Sequence, residues 1–306
     1  MKKKIIIVFG LIVFLLAIAA CNTNNEPEET TVEITDREGF TVNIPLEIES
    51  IISIGPANTE IIAALGFASQ ITYTDMFSND IHGVAAGINV LDMMALDMEF
   101  IIDQDPDIVF VTGMTRVGGN DPMGPVVEMG IPVINIPMSA TIADIKEDIN
   151  FIAYVLGVEN VGATIIENMN DAIEEIQAIA ANISETKTVY FEVSPAEFMV
   201  SLGTGTFINE MIELIGAVNI FADHEGWLSV SDEQVLELNP DVIITSVDFV
   251  PDPVAEIMSR DGWDSITAVQ ENAVFQIDAN ASSRPNHNII TALWAMARAI
   301  YPNYFG

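Results

Sequence analysis

The sequence predicts an α/β protein of two Rossmann-like lobes, each built on a mostly parallel sheet, joined by a single long backbone helix. Three observations carry this. One cassette occurs twice: Asp97-Met98-Glu99 leads, seven residues after the Glu, into Pro106-Asp107-Ile108-Val109-Phe110, and Ser231-Asp232-Glu233 leads by the same interval into Pro240-Asp241-Val242-Ile243-Ile244. A second match precedes each copy, Thr59-Glu60-Ile61-Ile62-Ala63-Ala64-Leu65-Gly66 against Asn209-Glu210-Met211-Ile212-Glu213-Leu214-Ile215-Gly216. Between the copies lies a long Pro-free helical pattern. Two similar lobes define a cleft.

The elements follow in order. Val42–Ile44 reads as a short strand and Ile51–Ile54 as a buried one, turned by Gly55-Pro56-Ala57-Asn58 into a helix that Gly66 ends. Asp97 caps the next helix, and Asp107–Thr112 is an apolar strand. A helix over Pro122–Met129 and a strand over Ile131–Ile136 complete the first alternation, which implies a parallel sheet covered on both faces. Thr141–Leu156 is helical. After Gly157 a helix over Val158–Ile183 places Val161, Ile165, Met169, Ile173, Ile176, Ala180 and Ile183 on one stripe, long enough for a stiff strut. The second lobe starts at Thr188–Phe191, with strands at Asp241–Thr245 and Ala273–Ile277, and a helix over Asn288–Ala299 closes it.

The copies are unequal. Gly66 to Asp97 spans 31 positions and Gly216 to Ser231 only 15. The extra length, Phe67–Leu96, carries Tyr73, Met76, Phe77, Met93 and Met94, either as cleft lining or as a satellite core.

At the N-terminus Lys2, Lys3 and Lys4 precede an apolar run over residues 5–20 and then Cys21, the order of a secretory signal. Ile18-Ala19-Ala20-Cys21 resembles the lipobox of bacterial lipoproteins, which implies lipidation of Cys21. Cys21 is the one cysteine of the chain, so no intrachain disulfide forms. The organisation expected is a signal peptide over 1–20, an acidic tether over 21–31, a first lobe over 32–157, the interlobe helix over 158–184 and a second lobe over 185–306, outside the cytoplasmic membrane. The formal charge is −35, and loss of the three signal lysines makes it −38. Such a surface excludes nucleic acid as a partner. No GxSxG, HExxH or P-loop sequence occurs, and the three histidines, His82, His224 and His287, fall in unrelated loops, so neither catalysis nor a protein-bound metal is expected.

Ser53-Ile54-Gly55-Pro56-Ala57-Asn58-Thr59-Glu60, Gly205-Thr206-Phe207-Ile208-Asn209-Glu210, Gly216-Ala217-Val218-Asn219-Ile220-Phe221, Trp227 with Val230-Ser231-Asp232-Glu233, Ser283-Arg284-Pro285 and Tyr301-Pro302 resemble, in order and spacing, the iron-siderophore, haem and cobalamin binding proteins of ABC importers. The resemblance implies two α/β lobes on a backbone helix; the stiff strut itself predicts little closure on binding. The resemblance also implies a monomer without a resident cofactor, its partners a chelate and a permease dimer with ATPase subunits. In that family a glutamate at the positions of Glu99 and Glu233 docks on the permease; first-turn helix electrostatics is the alternative account, but a cap does not require Glu at the second position of both copies, which favours docking.

For the ligand, the candidates are the helix N-termini at Pro56, Ala57 and Asn58 and at Gly203 and Thr204, together with Met76, Phe77, Met94, Met114 and Phe249. Trp227 is either a flat wall for a corrinoid, as the resemblance implies, or a surface-packing residue. Arg116 and Arg284 either meet an anionic ligand or pair with carboxylates. Met94 falls where some haem-binding relatives carry an axial Met, but Ser265 stands where the opposing His would be. The resulting order is corrinoid, then ferric siderophore, then haem, with an extracytoplasmic enzyme or a sensor as rival classes.

Overall fold

The computed structural model describes residues 30–116, 121–195 and 198–306. The signal segment and Cys21 lie outside these residues. Among the described residues no helix is long and apolar enough to cross a membrane.

The chain enters through an antiparallel hairpin, β1 (Thr31–Thr35) and β2 (Thr41–Pro45). Asp36 closes its turn by accepting from the amides of Glu38 and Phe40 at 2.9 and 2.8 Å. The strand β1 begins where the sequence suggested the end of the tether. Then follow β3 (Ile51–Ser53), α1 (Pro56–Ile62), β4 (Ile71–Asp75), β5 (Asn89–Leu91), α2 (Met98–Asp103), β6 (Ile108–Thr112), α3 (Gly124–Glu128) and β7 (Val133–Ile136). The strands make one parallel sheet in the order β5-β4-β3-β6-β7. Part of the 67–96 insertion is therefore sheet: β4 and β5 widen it on one side.

Two helices pack side by side, α4 (Ile142–Val155) and α5 (Glu159–Ala180). The latter has 22 residues and spans about 33 Å at 1.5 Å per residue, shorter at both ends than the stripe suggests. Gly162 is the point of closest approach, where an added Cβ would lie 2.6 Å from that of Ala153.

The second half runs β8 (Thr188–Glu192), β9 (Val200–Leu202), α6 (Phe207–Leu214), β10 (Val218–Asn219), β11 (Trp227–Ser229), α7 (Asp232–Leu238), β12 (Val242–Thr245), α8 (Pro253–Met258), α9 (Thr267–Gln270), β13 (Val274–Gln276), α10 (Ala279–Ser283), α11 (Ile289–Ile300) and α12 (Pro302–Phe305). Its sheet is again parallel, ordered β10-β8-β12-β13, with β9 and β11 as a separate antiparallel ribbon. The last helix α12 begins at Pro302, which takes the N1 position after the Tyr301 cap.

Strand pleat sorts the core into layers. Ile51, Ile108 and Phe110 of the first sheet, and Val189, Phe191, Val242 and Ile244 of the second, face one shared apolar cluster. That cluster also takes Met169, Ile173 and Ile176 of α5 and the inner faces of α1, α4, α6 and α11. The alternate residues face outward to separate clusters, Ile52, Val109 and Val111 beneath α2 and α3, and Tyr190 and Ile243 around Trp263. The strut thus threads a single core common to both lobes.

Candidate functional site

In parallel sheets of this kind ligands bind beyond the carboxyl ends of the strands, where the strand order reverses. In the first sheet the reversal lies between β3 and β6. The turn after β3, Gly55–Asn58, and the residues ending and following β6, Thr112 and Met114, line a cleft of about 570 Å³ between the lobes. Met93 and the loop after β7, Ile136–Ala140, complete that wall, while Gly205–Phe207, Gly226-Trp227 and Ser283–Pro285 come from the other lobe.

Local chemistry sets the turn after β3. Gly55 has φ 104°, and an added Cβ would lie 3.1 Å from Thr112 Cβ, so a side chain is excluded on both grounds. Its amide donates to Asp75 Oδ2 at 2.8 Å. That buried carboxylate also accepts from Ser78 Oγ at 2.6 Å and the Phe77 amide at 2.8 Å, tying β4 to the turn. Pro56 occupies the first helical turn, and Asn58 Nδ2 donates to Ile54 O at 3.0 Å. Asn58 borders the cleft as a buried brace with little polar surface to offer.

On the facing wall Gly203 and Thr204 sit behind the cleft. An added Cβ at Gly203 would lie 2.1 Å from His224 O, and the Thr204 amide and hydroxyl each donate to that oxygen at 2.8 Å. The Gly203 amide donates to Gly226 O at 2.8 Å. This pair therefore presents Gly226-Trp227, and the lining falls to the next residues, Gly205, Thr206 and Phe207. Trp227 is 54 % exposed, a flat apolar face open to the cleft.

The remaining sequence candidates separate. Pro56, Ala57, Asn58, Met114, Trp227 and Arg284 line the cleft; Met76, Phe77, Met94 and Phe249 are exposed outside that lining. Met93, one residue before Met94, borders the cleft instead and packs into the cluster beneath α2. Arg116 also stands outside the lining. Its guanidinium pairs with Glu38 of the hairpin turn and, at 2.7 Å, with Asp121, and lies over the Phe40 ring. Met138 and Asp148 join the lining from outside the sequence candidates. Pro137–Ala140 follows a strand end in the same way as Gly55–Asn58, and that position is the signal for it.

The cleft's charges are spent internally. Asp148, 2 % exposed, pairs with Arg37 of the hairpin and accepts from Ser139 Oγ. Arg284 donates through Nη1 to Glu60 Oε1 at 2.5 Å and through Nη2 to Phe77 O at 2.8 Å, with Asp80 Oδ1 at 3.6 Å. Among the described residues lining the cleft, no Lys, Arg, Asp or Glu is without an ion-pair partner. Nor do three or more His, Cys, Asp and Glu residues anywhere in the described structure form a metal-holding group.

Glu99 and Glu233 lie in the first turns of α2 and α7, both exposed. Asp97 caps the first, accepting from the Phe100 amide at 3.0 Å, and Ser231 with Gln234 forms the reciprocal box of the second. The Glu233 backbone amide and the Ser231 hydroxyl hold the Glu233 carboxyl below its usual range. It presents a firm negative charge to solvent.

The sequence profile of the periplasmic binding protein family matches residues 51–281. The chain is 29 % identical to an uncharacterized ABC transporter substrate-binding lipoprotein of Bacillus subtilis, over 100 % of this chain and 99 % of that protein. It is 25 % identical to the vitamin B12-binding protein of Vibrio cholerae, over 81 % of this chain and 88 % of that one. The molybdate-bound binding protein of Haemophilus influenzae superposes with a TM-score of 0.74 at 22 % identity, covering 90 % and 92 % of the two chains.

A cavity of about 500 Å³ lies at the same lobe junction, lined among others by Arg284, Glu60, Asp80 and His287. Burial pushes the His287 imidazole below its ordinary pKa, against the opposing pull of the Glu60 charge, and its buried Nδ1 has no hydrogen-bond partner among the described residues. The unfolded chain therefore takes up this proton first, and stability falls as pH drops below about 6.5. Thermal melts between about pH 7.5 and 5.5 will show a steeper loss for the wild type than for His287→Gln. Parallel curves would contradict this placement of the imidazole.

Proposed function

The chain belongs to the periplasmic binding protein family, and we propose that it is the extracytoplasmic substrate-binding component of an ABC importer, with a corrinoid of the cobalamin type as its ligand. One observation carries the ligand reading: the cleft is walled by Met93, Met114, Met138, Phe207, Trp227 and three prolines, and its Arg and Asp are each paired within the protein. An apolar, internally neutralised cleft matches a broad ligand with little net charge. The thioethers adapt to an irregular outline, and the indole offers a flat face to a macrocycle.

The alternatives lose their specific support here. A ferric siderophore of anionic character needs Arg116 or Arg284, and both are committed to carboxylates. Haem needs an axial ligand. Met94 is 73 % exposed outside the lining, and among the described residues no histidine lines the cleft. Capture of a ligand without turnover fits a site whose carboxylates are held in ion pairs rather than poised beside a nucleophile.

In this reading Cys21 carries the lipid anchor, the protein is a monomer, and Glu99 and Glu233 dock one on each half of a permease dimer. The repeat supplies that symmetry, because two equivalent helix starts present one carboxylate each.

Purified protein incubated with hydroxocobalamin, haemin or a ferric siderophore and then desalted should retain the corrinoid spectrum. Trp227→Ala should weaken hydroxocobalamin binding by about tenfold or more, the worth of a buried aromatic contact. Retention of haemin or siderophore alone would overturn the corrinoid assignment. The double variant Glu99→Ala, Glu233→Ala should abolish uptake while hydroxocobalamin binding stays at wild-type strength; unchanged uptake would remove these residues from docking.

A further inference from the structure

The repeated cassette has a second pair of glutamates, Glu60 and Glu210, at equivalent positions on α1 and α6. Each reaches across to the other lobe. Glu210 Oε2 accepts from the Ile142 amide at 2.7 Å, at the start of α4 and next to the Pro137–Ala140 wall of the cleft. Glu60 accepts from Asn286 Nδ2 at 2.8 Å, Asn288 Nδ2 at 2.6 Å and Arg284 Nη1 at 2.5 Å, beside the Ser283–Pro285 wall. The two latches hold opposite cleft walls by the same device.

They differ in one respect. The partner of Glu210 is a neutral amide, whereas Glu60 binds a cation that lines the cleft. A latch alone has no need of that cation, since the two asparagines already supply donors. Arg284 is 12 % exposed and Glu60 9 % exposed at the side chain, so their charges meet with little solvent screening. Without Glu60 the guanidinium at the cleft would keep as its carboxylate partner only Asp80, exposed and 3.6 Å away, and would be free to grip an oxyanion by two parallel hydrogen bonds.

We propose that Glu60 is a specificity-determining residue: by occupying Arg284 it keeps the interlobe cleft closed to small oxyanions and open to a chelate of low net charge. The inference rests on the reading of this cleft as the ligand site. Specificity of this kind comes from removing an attraction for the wrong ligand, as well as from contacts to the right one.

The experiment is calorimetric titration with sodium molybdate of the wild type, Glu60→Gln, and the double variant Glu60→Gln, Arg284→Gln. Gln keeps the size and one acceptor of Glu60 but cancels the charge. The wild type should bind no molybdate at millimolar concentration, and Glu60→Gln should bind it at least about tenfold more tightly, the worth of a freed charged hydrogen bond. The gain should vanish in the double variant, an Arg284 dependence that a purely structural role for Glu60 would not produce. A Glu60→Gln protein with a cooperative melt and no gain in molybdate binding overturns the proposal, as does wild-type molybdate binding that Arg284→Gln abolishes. Where Glu60→Gln does not melt cooperatively, Glu60→Asp, which keeps the charge but shortens its reach, should show a smaller gain of the same kind, and no gain there also overturns the proposal. Hydroxocobalamin binding is read separately. Its absence in the wild type contradicts the corrinoid assignment and leaves the molybdate series as a test of Arg284 alone.

Discussion

The apolar cluster that passes from the first sheet through α5 into the second sheet governs what the two lobes can do. Met169, Ile173 and Ile176 are buried in it, and Ile61, Ile149, Phe191 and Met211 reach it from both sides. Burying one such side chain is worth about 1.5–3 kcal/mol, so drawing a lobe away from α5 far enough to wet two of them costs about 3 kcal/mol or more. A binding protein whose lobes are joined by flexible strands has no such term opposing hinge motion. Here the cleft's width is set by core packing and by the Glu60 and Glu210 latches at the lobe junction.

Electrostatics adds a second constraint. The chain has ten Lys and Arg against forty-five Asp and Glu, so every cation near the cleft has many competing partners. Arg37, Arg116 and Arg284 are each held by carboxylates, and the ion pairs of Arg37 and Arg284 bracket the cleft. A strongly acidic molecule thereby encloses a nearly neutral, apolar site. The charge of the surface and the chemistry of the site are separate properties, and the exposed carboxylates of Glu99 and Glu233 belong to the former.

Legibility in the sequence followed the range of the interaction. Caps and strands are local, so Asp97 capping α2, the Ser231–Gln234 box and the apolar runs of β6 and β12 could be read from neighbouring residues. Gly203 and Thr204 look like a helix-start anion site for the same local reason, but backbone near residue 224 lies across them. Arg116 follows a strand and looks available until Glu38, seventy-eight residues earlier, arrives beside it. Glu60 shows in the sequence only as a letter of the repeat. Its three partners stand 224 to 228 residues away, and nothing short of the folded lobes brings them together. The insertion between Gly66 and Asp97 does something the two sequence readings did not name: β4 and β5 extend the main sheet, Met93 alone of its five Met and aromatic candidates borders the cleft, and the Phe77 carbonyl and Asp80 reach Arg284 across the lobe junction.

A core shared by both lobes holds the cleft against hinge motion about α5. Small-angle X-ray scattering of the protein with and without saturating hydroxocobalamin tests it most directly. The account predicts a radius of gyration that changes by no more than about 1 Å, as for partners that bind without rearrangement. A ligand-induced compaction of about 2 Å or more would contradict it, because the lobes would then be moving about α5 rather than being held by it.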